Sequence, residues 1–290
     1  MTGKNRDQKT PLIDKKGLRT DGRRPDELRP IRLEIGYLSR ADGSAYIEQG
    51  KNKIVAVVYG PRELHPRHLA QSDRALLRVN YRMATFSVQE RKKPAPSRRE
   101  YEISMVIRQA LEPMLFLKMY PRAAIDVFIQ VLQADGGSRC ASTTAASLAL
   151  ADAGIPMRAL VAGCAVGKVD GQIVVDLSDI EDKEGESDIP VVMAPSRGEV
   201  TLLQMDGKLT PAEMAKALEM AETAIRKIYD MQQSVLQKTF AQIREEIGEE
   251  VEPVPPSAER EEEAEPPRRR PPRPASTKPS FAEDFEEEDD

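Results

Sequence analysis

The residues best suited to chemistry in this chain lie in Ala134-Asp-Gly-Gly-Ser-Arg-Cys-Ala-Ser142. An apolar, β-rich segment, Val127 to Leu132, precedes them, and an Ala-rich, helix-compatible run, Thr143 to Ala153, follows. The order is strand, glycine turn, helix start. Gly136 and Gly137 open backbone conformations closed to other residues, and Ser138 stands where a helix N-cap is expected. The first turn of a helix carries free N–H groups and a partial positive charge, which together favour an anion. Arg139 adds a planar donor fork suited to phosphate. The stretch reads as a phosphate site, although Gly-Gly-Ser alone would also serve as a tight strand-to-helix connection. It is neither a Walker A loop, since no Gly-Lys-Ser/Thr follows, nor a dinucleotide fingerprint, since G-x-G-x-x-G is absent.

Two charged stretches give that site something to work with. Asp176-Leu-Ser-Asp-Ile-Glu-Asp-Lys-Glu-Gly-Glu-Ser-Asp188 holds seven acids and one lysine in 13 residues. Such a run usually means a solvated loop, but it lies between apolar strands, and Asp182 and Asp188 bracket a glycine. Carboxylates held close repel unless a proton or a cation joins them, and oxygen-only ligands suit Mg²⁺ or Mn²⁺. Upstream, Arg82 to Arg99 carries six bases against one acid. As charge alone this is a solvated loop; beside a phosphate pocket and an acid pair it becomes a grip for a polyanion. The combination fits phosphoryl chemistry on nucleic acid, where a protein mainly positions groups and balances charge. Aromatics are only 4% of the chain, so binding through the phosphate backbone, with little sequence preference, is expected.

The elements that must position these groups follow from local pattern. Ile31 to Gly36, Ala45 to Gln49 and Ile54 to Tyr59 read as short strands of an antiparallel meander. Gly60-Pro-Arg-Glu-Leu-His-Pro-Arg-His68 is a basic loop; its two histidines, the only ones in the chain, are too few for a metal site. Leu76 to Val88 alternates as a long strand. Ser97 is placed to cap a helix that begins at Arg98 and Arg99 and is interrupted by Pro113. A strand over 124–133 leads to the glycine turn and a helix over 139–153 follows it, stopped by Gly154-Ile-Pro. Asp170-Gly171 joins two strands as a hairpin, and further strands fall at Ile189 to Ala194 and Glu199 to Leu203. Thr210-Pro-Ala-Glu213 is a capping box opening a helix whose stripe is Met214, Leu218, Ala221, Ile225 and Ile228.

Composition sets the frame. The 290 residues, 40% hydrophobic, support a substantial core. The net charge of −5 is uneven: 13 acids and 6 bases fall in 251–290, which leaves 35 acids and 37 bases before it. The tail also holds nine prolines and cannot bury enough to offset its ordering entropy, so 249–290 is expected to be disordered. Residues 1–16 are polar and expected to be flexible, leaving a catalytic domain over 17–248. Cys140 and Cys164 form no ligand pattern and fit a reducing cytoplasm. No apolar run approaches the roughly 18–20 residues of a membrane span, and the N-terminus has no signal-peptide core. A soluble, intracellular, cytoplasmic protein is expected.

Four motifs together resemble the RNase PH family of phosphorolytic exoribonucleases: Arg19-Thr-Asp-Gly-Arg-Arg, Gln49-Gly-Lys-Asn-Lys, Gly136-Gly-Ser-Arg-Cys-Ala-Ser142, and the Asp176, Asp182, Asp188 run. Within the family, Gly60 to His68 and Ser97-Arg-Arg-Glu most resemble the catalytic branch found in archaeal exosomes. The resemblance implies an α+β fold of the ribosomal-protein-S5-domain-2-like type, with mixed sheets packed against helices. It implies a hexameric ring of three heterodimers with a second, inactive RNase PH-like subunit, a cap of S1- or KH-type subunits, and single-stranded RNA threading the channel. Inorganic phosphate would be the co-substrate, held by Gly137, Ser138 and Arg139 with Ser142 or Thr143 nearby. Arg98 and Arg99 would hold the RNA backbone, and Arg67 and His65 would line the channel. Asp182 would be the general acid or a metal ligand, with Asp188 its partner. Two rivals share much of this pattern: a homohexameric RNase PH trimming tRNA ends, and a catalytically silent RNA-binding ring subunit.

Overall fold

The structure is a computed structural model that describes residues 11–247. Strands β1 (Ile31–Ile35), β2 (Gly43–Gln49) and β3 (Asn52–Glu63) form the expected antiparallel meander, with Ile47 opposite Ile54 and Leu33 opposite Ile47. β5 (Ala123–Gln133) adds antiparallel to β3, and β4 (Leu76–Met83) lies outside it, parallel to β5. The first sheet thus runs β1-β2-β3-β5-β4. β4 is shorter than its alternating pattern predicts. It ends at Met83, and the chain beyond turns back so that the Ser87 carbonyl accepts from the Ala134 amide.

A second sheet comes from the C-terminal half: β6 (Ala162–Val169), β7 (Gln172–Val175), β8 (Ser187–Ala194), β9 (Glu199–Leu203) and the short β10 (Asp206–Gly207). β8 pairs with β6, β9 and β10, and β7 closes the other edge of β6. The β6–β7 hairpin turns on Asp170 and Gly171, both at positive φ, as the Asp-Gly pair predicts.

Helix α2 (Ser138–Asp152) packs against strands of both sheets. Every residue from Cys140 to Leu150 is buried, which its small side chains permit and which explains why it shows little amphipathic stripe. α1 (Arg98–Leu111) packs on β4; Ser97 caps it as expected, and Glu100 completes a capping box with it. α4 (Pro211–Ile247) lays Ala221, Ile225 and Ile228 against the second sheet.

β10 and the helix within the acidic stretch went unforeseen. The acidic stretch contains a short helix, α3 (Asp179–Glu184), with its own capping box, Ser178 with Glu181. At the N-terminal end, Ile13 joins the core and the Leu12 and Ile13 amides donate to the Asp170 carboxylate, so ordered contacts begin ahead of residue 17. The expected tail, 249–290, lies outside the described residues. Among the described residues no helix is long and apolar enough to cross a membrane.

Candidate active site

The glycine turn is a braced structure. Gly136 and Gly137 both have positive φ. A Cβ on Gly136 would sit 2.5 Å from the Ser178 carbonyl carbon, so this position needs glycine for close approach as well as for conformation. The Asn52 side chain closes the turn from β3: its Oδ1 accepts from the Asp135 amide at 2.6 Å and its Nδ2 donates to the Gly136 carbonyl at 2.6 Å. Arg29 closes it from below. Its guanidinium forks onto Asp176, at 3.0 Å from Nε and 2.6 Å from Nη2, and its Nη1 donates to the Asp135 carbonyl. Gln49 donates to the same Asp176 carboxylate at 2.8 Å. Burial opposes the Arg29 charge, but Asp176 overrides it and holds the guanidinium firmly protonated.

The acidic stretch is fixed by a second buried pair. Arg19 reaches Glu181 through two guanidinium nitrogens and donates to the Val175 and Asp176 carbonyls. Neither side chain is exposed. Burial works against ionisation of Glu181, yet Arg19 and the Ser178 amide and hydroxyl outweigh it and keep the carboxyl below its ordinary range. A buried ion pair with its remaining valences met by backbone is costly to break from one side. It fixes where α3 begins, and therefore where Asp182 stands.

Between these braces lies a cavity of about 180 Å³. Gly137, Ser138 and Arg139 form one wall, Asp182 and Asp188 another, and Arg99 reaches in from α1. The helix is not capped as its sequence predicts. Gly137, not Ser138, occupies the N-cap in the left-handed region, and no side chain caps the helix. With no side-chain cap, the Ser138 and Arg139 amides at the helix start stand beside the cavity together with the Ser138 hydroxyl, which is the arrangement that binds an anion. The cavity opens into a groove of about 600 Å³ that shares Arg99, Arg139, Asp182 and Asp188 and continues to Gln204. Arg139 is aimed by its hydrogen bond to Gln204.

The Asp188 carboxyl is tuned by its surroundings. Burial first, and then the neighbouring Asp182, push the Asp188 carboxyl up to about 7, against the pull of Arg139 and Arg99. The pair therefore holds one proton near neutral pH. Asp188 Oδ1 is buried without a hydrogen-bond partner. Two oxygen donors, one of them orphaned, fit a hard divalent ion that takes the rest of its shell from water and phosphate. No group of three or more His, Cys, Asp or Glu gathers as a metal cage among the described residues.

The family is decided by comparison with known proteins. The model of the 3′ exoribonuclease family (RNase PH), domain 1, matches residues 27–156, and that of domain 2 matches residues 159–224. The chain belongs to the RNase PH family. It is 59% identical over 248 residues to the exosome complex component Rrp41 of Thermococcus onnurineus, covering 86% of this chain and 99% of that protein. It is 56% identical over 229 residues to the Methanopyrus kandleri protein of the same name, covering 79% of this chain and 96% of that one. Among solved structures, rice Rrp46 matches with a TM-score of 0.69 at 26% identity, over 76% of this chain and 100% of that one. A chain of the Archaeoglobus fulgidus exosome with RNA bound to the active site shares the fold, with a TM-score of 0.66 at 22% identity, over 74% of this chain and 93% of that one. As a member of the RNase PH family, this chain is a 3′-to-5′ exoribonuclease.

Seen as an RNase PH-family site, the cavity gathers Gly137, Ser138, Arg139, Arg99, Asp182 and Asp188 from the sequence reading. It does not gather the others. Ser142 and Thr143 are fully buried within α2, where the Thr143 hydroxyl donates back to the Arg139 carbonyl. Arg98 is exposed on α1 and does not line the cavity. His65 and Arg67 lie in the loop before β4, where Arg67 pairs with Glu63 and the His65 carbonyl accepts from Arg78. Arg78 and Met83 are five residues apart on β4, roughly 17 Å along the strand. Sequence reasoning did not single out Arg29, Asn52 or Asp176 as a brace. The Gln49-Gly-Lys-Asn and Arg19-Thr-Asp-Gly-Arg-Arg motifs were the available signals, but their roles depend on partners more than 80 residues away.

Proposed function

We propose that this chain is the phosphorolytic subunit of an exosome-type ring, shortening RNA from its 3′ end and releasing nucleoside 5′-diphosphates. The observation that carries the reading is one cavity in which an uncapped helix start and Arg139 face a carboxylate pair holding a proton. An oxygen of inorganic phosphate, held by Gly137, Ser138 and Arg139, attacks the phosphorus of the last phosphodiester. The bond from that phosphorus to the 3′-oxygen breaks, and Asp182, drawing on the proton shared with Asp188, protonates the departing oxygen. Arg99 neutralises charge on the transferred phosphoryl group, and Arg98 holds the backbone outside the cavity. Asp182 and Asp188 would hold Mg²⁺ or Mn²⁺, which when bound supplies charge neutralisation at the same oxygens. Because the diphosphate product retains much of the bond energy, the reverse reaction extends RNA from diphosphates.

The archaeal relatives are named as exosome complex components, which supports a place in an exosome-type assembly. In this reading a second, inactive RNase PH-like subunit completes the ring, S1- or KH-type cap subunits sit above it, and single-stranded RNA passes through a channel lined by His65 and Arg67. A cytoplasmic location accords with this reading. Retention of Arg99, Asp182 and Asp188 around the cavity weighs against a silent ring subunit.

The test is incubation with oligo(A) RNA, with and without inorganic phosphate, alone and with the partner subunit. Phosphate-dependent ADP release is expected; AMP release without phosphate would replace phosphorolysis with hydrolysis. Asp182→Ala should abolish turnover while RNA affinity stays within about twofold, and loss of RNA binding would reassign Asp182 to structure.

A further inference from the structure

Tyr81 is fully buried at the end of β4, an unusual place for a phenol unless its hydroxyl has a partner. That partner is the Ser138 hydroxyl, 3.2 Å away at the first position of α2. The phenol is held from both sides. Its backbone amide donates to the Ser104 hydroxyl at 2.9 Å, and Ser104 donates to the Glu100 carbonyl at 2.6 Å. Two residues on, the Met83 amide donates to the Glu100 carboxylate at 2.8 Å, and the other Glu100 oxygen accepts from the Ser97 amide at 2.6 Å. The turn of α1 that carries Arg98 and Arg99 is thus pinned to β4 around Tyr81, and Tyr81 reaches on to the wall of the phosphate cavity.

We propose that Tyr81 is a positioning residue for phosphate: its hydroxyl donates to Ser138 Oγ, so that the Ser138 proton is turned toward the attacking anion. The inference rests on the phosphorolytic reading. A hydroxyl offers one proton and two lone pairs. If Ser138 donated to Tyr81, it would present only lone pairs to phosphate, which repels. With Tyr81 as donor, Ser138 joins the first-turn amides as a donor to the anion. Burial keeps the phenol protonated, so it stays a donor through the neutral range. Among the described residues the Tyr81 phenol is the side chain hydrogen-bonded to Ser138 Oγ, and no other competes for it.

The test compares wild type, Tyr81→Phe, Ser138→Ala and the double variant as full-length chains, with the partner subunit present where activity requires it. Oligo(A) phosphorolysis is followed as phosphate is varied. Wild-type activity that does not depend on phosphate would sink the phosphorolytic reading itself. Given that dependence, Tyr81→Phe is expected to raise the KM for phosphate roughly two- to tenfold, the loss of one neutral hydrogen bond. Turnover at saturating phosphate and RNA affinity should each stay within about twofold. In the Ser138→Ala background the same change should have no further effect. An unchanged phosphate KM in Tyr81→Phe, an equal penalty with and without Ser138, or a fall in turnover and RNA affinity alike would overturn the proposal. So would a Ser138→Ala variant with wild-type phosphate KM, which decides the matter even if Tyr81→Phe fails to fold.

Discussion

Replacing Asp188 by asparagine should make the protein more stable and less active, with a stability gain that grows with pH. The Asp188 carboxyl is pushed from its ordinary 3.8 to about 7 by burial and by Asp182. Between about pH 4 and pH 7 the folded protein therefore retains a proton at this pair that the unfolded chain has released. Wild-type stability falls as pH rises through that window and levels off above it. That rise, at roughly 1.4 kcal/mol for each tenfold change in proton affinity, sets a ceiling of about 4 kcal/mol above pH 7. The groove beside the pair is open, and water relaxation there brings the expected gain to about 2 kcal/mol. A carboxamide is isosteric with the protonated Asp188 carboxyl and does not titrate. For a chain of this size that gain is worth roughly 4–8 °C in Tm at pH 8, fading toward zero near pH 4. Thermal unfolding of both proteins across pH 4 to 8 measures it, and phosphorolysis of oligo(A) should be lost in the variant throughout. A gain that is flat with pH, or one that shrinks as pH rises, would refute the shared-proton account of the carboxylate pair.

Other perturbations test the remaining parts of the site. Arg99→Glu should weaken RNA binding and lower the slope of log affinity against log salt by about one, measured by titration at several ionic strengths. Gly136→Ala should destabilise the fold by more than about 1 kcal/mol and abolish activity, because the new methyl meets the Ser178 backbone at a positive φ; denaturant unfolding checks this. Glu181→Gln should cost about 3–5 kcal/mol by leaving the Arg19 charge buried without a partner, read from the shift in the urea midpoint.

Much of this was legible because its chemistry is local. The N-cap at Ser97, the capping box at Thr210, the Asp170-Gly171 hairpin and the strand before the glycine turn each depend on neighbours within a few residues. Gly137, Ser138 and Arg139 were legible as an anion site and Asp182 with Asp188 as an acid pair by residue type, whereas Arg99 was marked by the family resemblance. What failed was non-local. Seven acids in 13 residues resemble a solvated loop because the cations that pair with Asp176 and Glu181, Arg29 and Arg19, stand over 140 residues upstream. Ser138 read as an N-cap because nothing nearby shows that Tyr81 holds its hydroxyl instead. The place of β4, parallel to β5 across a long connection, has no local signal at all.

The Arg29–Asp176 contact bears on how such an enzyme can be divided or recombined. The two family models meet between residues 156 and 159, yet the glycine turn in the first half is propped by a carboxylate from the second, and the acid pair opposite it belongs wholly to the second. The catalytic centre is a seam between the halves. A fragment ending near residue 157 would keep Ser138 and Arg139 but lose both the far wall and the strut beneath the turn. Chimeras that exchange halves between relatives should keep activity only when the residues at 29 and 176 travel as a matched pair, so inheritance of this site is tied to a junction that neither half encodes alone.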